Sequence, residues 1–114
     1  MLEEDSKYFH RKDDCMNRYV VEFRTRSGKG DEAMALFHDM KAYFQNTHQK
    51  TLEVYYQAFG TPGLFQVAMD FDSLSQLEDV SRTLRSDPQY KALADRARII
   101  FTEDSMATTV YYRV

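Results

Sequence analysis

Two histidines, four tyrosines and one arginine are the side chains here whose types and spacing could do chemistry. His38 and His48 stand ten residues apart in "FHDMKAYFQNTH". That is too far for the i, i+4 pair of a helical zinc site, so each is read alone. A neutral imidazole accepts a proton near physiological pH. His38 sits beside Phe37 and in line with Met34 and Lys41, where it could reach from a helix into a cleft as a base. His48 follows in "NTHQK", where it could act as a base at a pocket mouth. Each also has a plain reading: His38 as a half-solvated boundary residue, His48 as a helix C-terminal residue favoured by the dipole. Tyr19, Tyr56, Tyr90 and Tyr112 would supply apolar walls and orienting hydroxyls, the mixture that a small-molecule site needs. Their plain reading is a set of core rings with bonded hydroxyls. Arg96, with Arg98 near it, would cap an anionic ligand at the cleft mouth, or would simply be solvated.

Other chemistries lack their parts. No Cys/His pair has metal-ligand spacing, so no metal is expected. "SGKG" has too few glycines and the wrong length for a phosphate loop. No pair of carboxylates shares a predicted buried face, and nothing signals a Ser–His–Asp triad. No cofactor is expected, and the residues leave open whether the chain catalyses a reaction.

Positioning these groups requires a fold, and 114 residues allow one domain. Hydrophobic residues make up 43% and charged residues 29%, the balance of an ordinary globular chain with a single core. The net charge of −3 argues against binding nucleic acid or an anionic membrane, which needs a clustered basic excess. No apolar run is long enough to span a bilayer. "MLEEDSKYFHRKDDC" has no apolar segment of a secretory signal. Cys15 is the single cysteine, so no intrachain disulfide can form, and a cytoplasmic setting is expected. Residues 1–16, with His10, read as a charged extension, and 17–114 as the domain.

From Arg18 the pattern becomes regular. "RYVVEFRTR" alternates, with Tyr19, Val21 and Phe23 on one side: a half-buried strand. After the turn "SGKGDE", apolar positions Ala33, Leu36, Phe37, Met40, Tyr43 and Phe44 recur every three or four residues, one face of a helix. "TLEVYYQAF" and "LFQVAMDF" alternate on either side of "GTPG", which predicts a hairpin. Ser73, three residues before Gln76, has capping-box spacing and opens a second helix through Leu84. Asp87–Pro88 opens a third, an acceptor at the N-cap followed by proline in the first turn. "MATTVYYRV" alternates again. The order β-α-β-β-α-α-β predicts an α+β, ferredoxin-like sandwich: a four-stranded antiparallel sheet with its helices on one face.

Such a sheet leaves its other face open. Here that face would carry Glu22, Arg24, Glu53, Tyr55, Gln57, Phe59, Gln66, Asp70, Thr109, Tyr111 and Arg113, with Val20 and Ala68 among them. The charges fit a solvated surface. The rings of Tyr55, Phe59 and Tyr111 fit a protein interface, and opposite charges can pair across a two-fold axis. A sheet-to-sheet homodimer is the expectation.

The element order, the helix opening with "DPQY" and the phrase "GTPGLFQVAMDFDSLSQLED" together resemble the dimeric α/β-barrel superfamily. Within it the chain is most similar to NIPSNAP-like proteins, through Glu22–Phe37, Gly60–Leu74 and Asp87–Phe101. The antibiotic-biosynthesis monooxygenases have the same plan. The resemblance covers about Arg18 to Val114. It implies a homodimer whose sheets pack together, with a ligand site in the helix–sheet cleft. The monooxygenase relatives would imply cofactor-free oxidation of an electron-rich polycyclic molecule. The haem-degrading relatives use a Trp, an Asn and a His, and this chain has no Trp. The leading expectation is therefore a small hydrophobic or aromatic ligand. The alternatives are a cofactor-independent monooxygenase and a non-enzymatic interaction module.

Overall fold

The structure is a computed structural model of the chain, and it describes residues 17–112. The expected extension, with His10 and Cys15, lies outside the described residues, as does Arg113. The elements are β1 (Asn17–Arg24), α1 (Gly30–His48), β2 (Glu53–Tyr56), β3 (Leu64–Phe71), α2 (Leu74–Ser86), α3 (Pro88–Ile100), a short 3-10 turn (Glu103–Ser105) and β4 (Ala107–Tyr112). The four strands lie in the order β2-β3-β1-β4, every neighbouring pair antiparallel. This is the ferredoxin-like α+β sandwich that the element order predicts.

Register decides which residues meet. Val21 faces Val67 on one side and Thr108 on the other, so Tyr19, Val21 and Phe23 share a face with Phe65, Val67, Met69 and Phe71. Aromatic contacts hold the helices on that face. Phe23 stacks on Phe101 with ring centroids 4.7 Å apart. Phe37 of α1 meets Phe65 at 4.9 Å and Phe101 at 5.5 Å. Ala33 and Leu36 are fully buried beside them. Burying one such side chain contributes roughly 1.5–3 kcal/mol, and these residues belong to one continuous core with Val67, Met69 and Phe71.

Both expected helix starts form. The Ser73 side chain accepts the amide of Gln76 at 3.1 Å, and the Gln76 side chain reaches back to the amide of Asp72 at 2.9 Å. Asp87 accepts the amide of Gln89 at 2.9 Å, with Pro88 behind it where a missing N–H costs nothing. The role of α3 is then clear. It packs Leu93 and Ile100 into the core and delivers the chain to the end of β1. There Arg26 donates to the Ile100 carbonyl at 2.8 Å, and Thr102 donates to that of Arg24 at 2.9 Å.

Two features differ from the alternation read in the sequence. First, β2 ends at Tyr56. The Gln57 amide bonds to Leu64 at 3.0 Å, and the chain turns back through Gly60 and Gly63 at φ +117° and +76°. Gln57 and Phe59, expected on the open sheet face, lie in this turn, and Phe59 is 91% exposed. Proline and left-handed glycines stop the ladder before the apolar alternation stops. Second, Tyr56 and Tyr112 lie on the helix face but are mostly exposed. The helices cover the central strands β1 and β3, and the edge strands extend beyond them.

The open face is polar and well paired. Arg18 forms a two-pronged contact with Asp70 at 2.8 and 3.0 Å and reaches Glu53 at 3.3 Å. Gln66 donates to Glu22 at 3.1 Å, and Tyr55 donates to Glu53 at 2.8 Å. Val20 and Ala68 are buried at its centre.

Candidate functional site

An open cleft of about 1030 Å³ runs along the flank of α1 beside β2. It exists because Leu36 and Phe37 hold α1 over the central strands, which leaves the helix side of the edge strand uncovered. Val54, Tyr56, Phe65 and Phe37 line it as apolar surface. Met34, His38 and Lys41 line it from α1, where spacings of three and four put them on one side of the helix. Arg24, Arg26, Gly28 and Gly30 line it from the end of β1 and the following turn. Thr25 also lines it. Its Oγ1 is the buried side-chain polar atom without a partner among the described residues.

A second, smaller space of about 190 Å³ lies between the sheet and all three helices. Tyr19, Met40, Phe44, Leu77, Leu84 and Tyr90 are among its walls. It reflects the packing of α2. That helix turns Leu77, Val80 and Leu84 toward the core, but none of its residues is fully buried. Burial raises the Tyr90 phenol above its ordinary range, with the neighbouring Tyr19 adding to the effect. A mostly apolar space of this size has room for a single small ring.

The structure thus divides the candidate residues. His38 and Tyr56 meet in the open cleft, and Tyr19 and Tyr90 meet in the inner cavity. His48 faces neither. Its Nε2 lies 3.3 Å from the Tyr43 hydroxyl, which donates to Asp87 Oδ2 at 2.5 Å. Burial and then the Asp87 carboxylate hold the Tyr43 phenol well above its usual range. The Tyr43 hydroxyl, followed by the Gln89 amide, holds the Asp87 carboxyl below its own. This cluster clamps the end of α1 to the start of α3. Arg96 pairs with Asp39 at 2.7 Å across the same two helices, outside both cavities. Tyr112 stands exposed on the edge strand β4. Among the described residues no group of three His, Cys, Asp or Glu is arranged to hold a metal ion. No described helix is long and apolar enough to cross a membrane.

Sequence reasoning placed His38 in line with Met34 and Lys41 but did not bring Arg24 and Arg26 to them. Arg26 lies beyond β1, where periodicity carries no direction, and Arg24, read as an open-face residue, borders the cleft only because β1 ends there. It also missed Tyr43 as the partner of Asp87. Each has a local signal, an apolar stripe and a helix start, but they stand 44 residues apart.

No family model and no curated protein matches the chain. Solved structures do. A NIPSNAP domain protein from Burkholderia xenovorans superposes with a TM-score of 0.72 at 18% identity, over 86% of this chain and 94% of that one. A putative antibiotic biosynthesis monooxygenase from Caulobacter crescentus CB15 gives 0.72 at 13%, over 90% and 92%. A variant of SnoaB, a cofactor-independent oxygenase from Streptomyces nogalater, gives 0.65 at 11%, over 85% and 91%. At these identities the likeness is one of fold, and it joins this chain to the NIPSNAP and monooxygenase structures in one ferredoxin-like architecture.

Proposed function

We propose that this protein is a NIPSNAP-like dimeric α/β-barrel protein that binds or processes a small hydrophobic or aromatic molecule in its helix–sheet cleft. One observation carries the reading: the cleft of about 1030 Å³ beside α1, with Phe37, Val54, Phe65, Met34 and Tyr56 around it. Its size and mixture of ring, aliphatic and polar lining are those of small-molecule sites. An interaction module would have no need of such a cleft. The homodimer joins the proposal through Tyr55 and Tyr111 on the open sheet face and Phe59 in the adjoining turn. The lone cysteine supports a cytoplasmic setting.

A cofactor-independent oxygenase is the second reading, favoured by the position of His38 in the cleft and by the fold shared with SnoaB. In it His38 takes a proton from a phenolic or anthrone-type substrate, and Tyr56 orients that substrate. His48, already engaged by Tyr43, has the weaker claim to the role of base. Native mass spectrometry of the purified protein tests the binding reading: extra mass corresponding to a small organic molecule supports it. A bare protein that also fails to bind any member of an apolar and aromatic ligand panel overturns it. Oxygen uptake with an anthrone, lost in His38→Ala, supports the oxygenase; no uptake by the wild type removes it.

A further inference from the structure

We propose that the open cleft selects an anionic amphiphile, a molecule with an aromatic or alkyl body and a carboxylate head. The inference rests on the cleft reading above and specifies its ligand.

The distribution of paired and unpaired cations carries it. Among the described residues, Arg18, Lys29, Arg82, Lys91, Arg96 and Arg98 pair with carboxylates. Lys50 donates to the Asp70 carbonyl and to Gln76. Arg24, Arg26, Lys41 and Arg85 have no such side-chain partner among the described residues. Three of these four, all but Arg85, line the same cleft. The chain as a whole has more carboxylates than cations. Chance pairing would therefore satisfy cations first, yet the unsatisfied ones gather where an apolar cleft opens.

The cleft's geometry gives the ligand its shape. Arg24 and Arg26 stand at the end of β1, next to the first turn of α1. Lys41 lies ten residues beyond Asp31, roughly 15 Å along the helix. Between them runs the apolar lining of Met34, Phe37 and Val54. The carboxylate sits at the end of β1 beside Arg26, and the body lies along α1 toward Lys41. Asp31 is the single carboxylate of the lining, so the surplus suits one anionic group rather than a polyphosphate. Each partly exposed cation contributes a factor of up to roughly five in affinity, and salt screens it.

Two fluorescent probes separate the body from the charge: anilinonaphthalene sulfonate, whose sulfonate stands in for the carboxylate, and the uncharged N-phenyl-naphthylamine. On the full chain the sulfonate should bind at least about tenfold more tightly, and the gap should narrow between about 20 and 500 mM salt. Arg26→Glu should weaken the sulfonate by about fivefold or more, Lys41→Glu at the far end by less, and neither should move the neutral probe by more than about twofold. Arg85→Glu, an unpaired cation outside the cleft, should change neither. Equal affinity for the two probes overturns the anion preference and leaves the cleft reading standing. So does an Arg85→Glu effect as large as that of Arg26→Glu, because the charge effect would then be general. If neither probe binds, the cleft reading falls as well. Unchanged thermal melts confirm that the variants are folded.

Discussion

Replacing Tyr55 and Tyr111 together by Asp should turn a dimer into a monomer at tens of micromolar. Strands about 4.8 Å apart with about 3.4 Å per residue give a four-stranded face of roughly 400–500 Å². Two such faces hide roughly 800–1,000 Å², just below the range of stable interfaces, so no ring on the face is redundant. Tyr55 and Tyr111 are 50% and 55% exposed, which leaves each roughly 100 Å² still to bury. Four such rings in a dimer give roughly 10 kcal/mol at about 25 cal/mol per Å². That is of the same order as the cost of association, so the rings decide its sign. Aspartates forfeit this area. Tyr55→Asp also sets a carboxylate beside Glu53 in each subunit, while Tyr111→Asp places one opposite Arg18, which Asp70 and Glu53 already engage. A dissociation constant raised by at least about a thousandfold follows. Sedimentation velocity from about 1 to 100 µM reads the outcome, with far-UV circular dichroism to show that the variant is folded. A wild type that stays monomeric to about 100 µM refutes the sheet-packing argument. A double variant that stays dimeric moves the interface to another surface.

Further predictions concern the fold that carries the cleft. Leu36→Ala, at a site with no exposed surface, should cost about 3–5 kcal/mol in urea unfolding; a loss below about 1 kcal/mol would mean that α1 is not held as described. Ser73→Ala should cost about 1 kcal/mol by removing the cap of α2, while Ser73→Asp should restore most of it. The native Asp87 carboxyl titrates below its unfolded value near 3.9. Its contribution to stability is therefore complete above that pH and is lost as pH falls through the native value. Asp87→Asn keeps a cap but removes the titration, so the stability gap from wild type should be flat from pH 5 to 7 and shrink below about pH 4. A gap that stays constant to about pH 2 would show that the Tyr43–Asp87 bond does not favour the charged carboxylate.

The local rules of the chain determined its elements. Alternation at period two set apart the helix-facing residues of β1 and β3, because successive side chains on a pleated strand must point to opposite faces. Ser73 and Asp87–Pro88 marked two helix starts to the residue, because the first free amides of a helix need an acceptor at a fixed distance along the chain. His38 could be placed beside Met34 and Lys41 for the same reason, since three and four residues make one helical turn. Tertiary structure alone decided how far each face is covered. Tyr19 and Tyr56 have the same parity, yet Tyr19 lies beneath the helices and Tyr56 on an uncovered edge, because period two gives direction and not neighbours. It alone joined Tyr43 to Asp87 and Phe23 to Phe101. Those pairings depend on where the Phe23–Phe37–Phe101 cluster seats the helices, and a contact between distant residues follows from packing that no local spacing records.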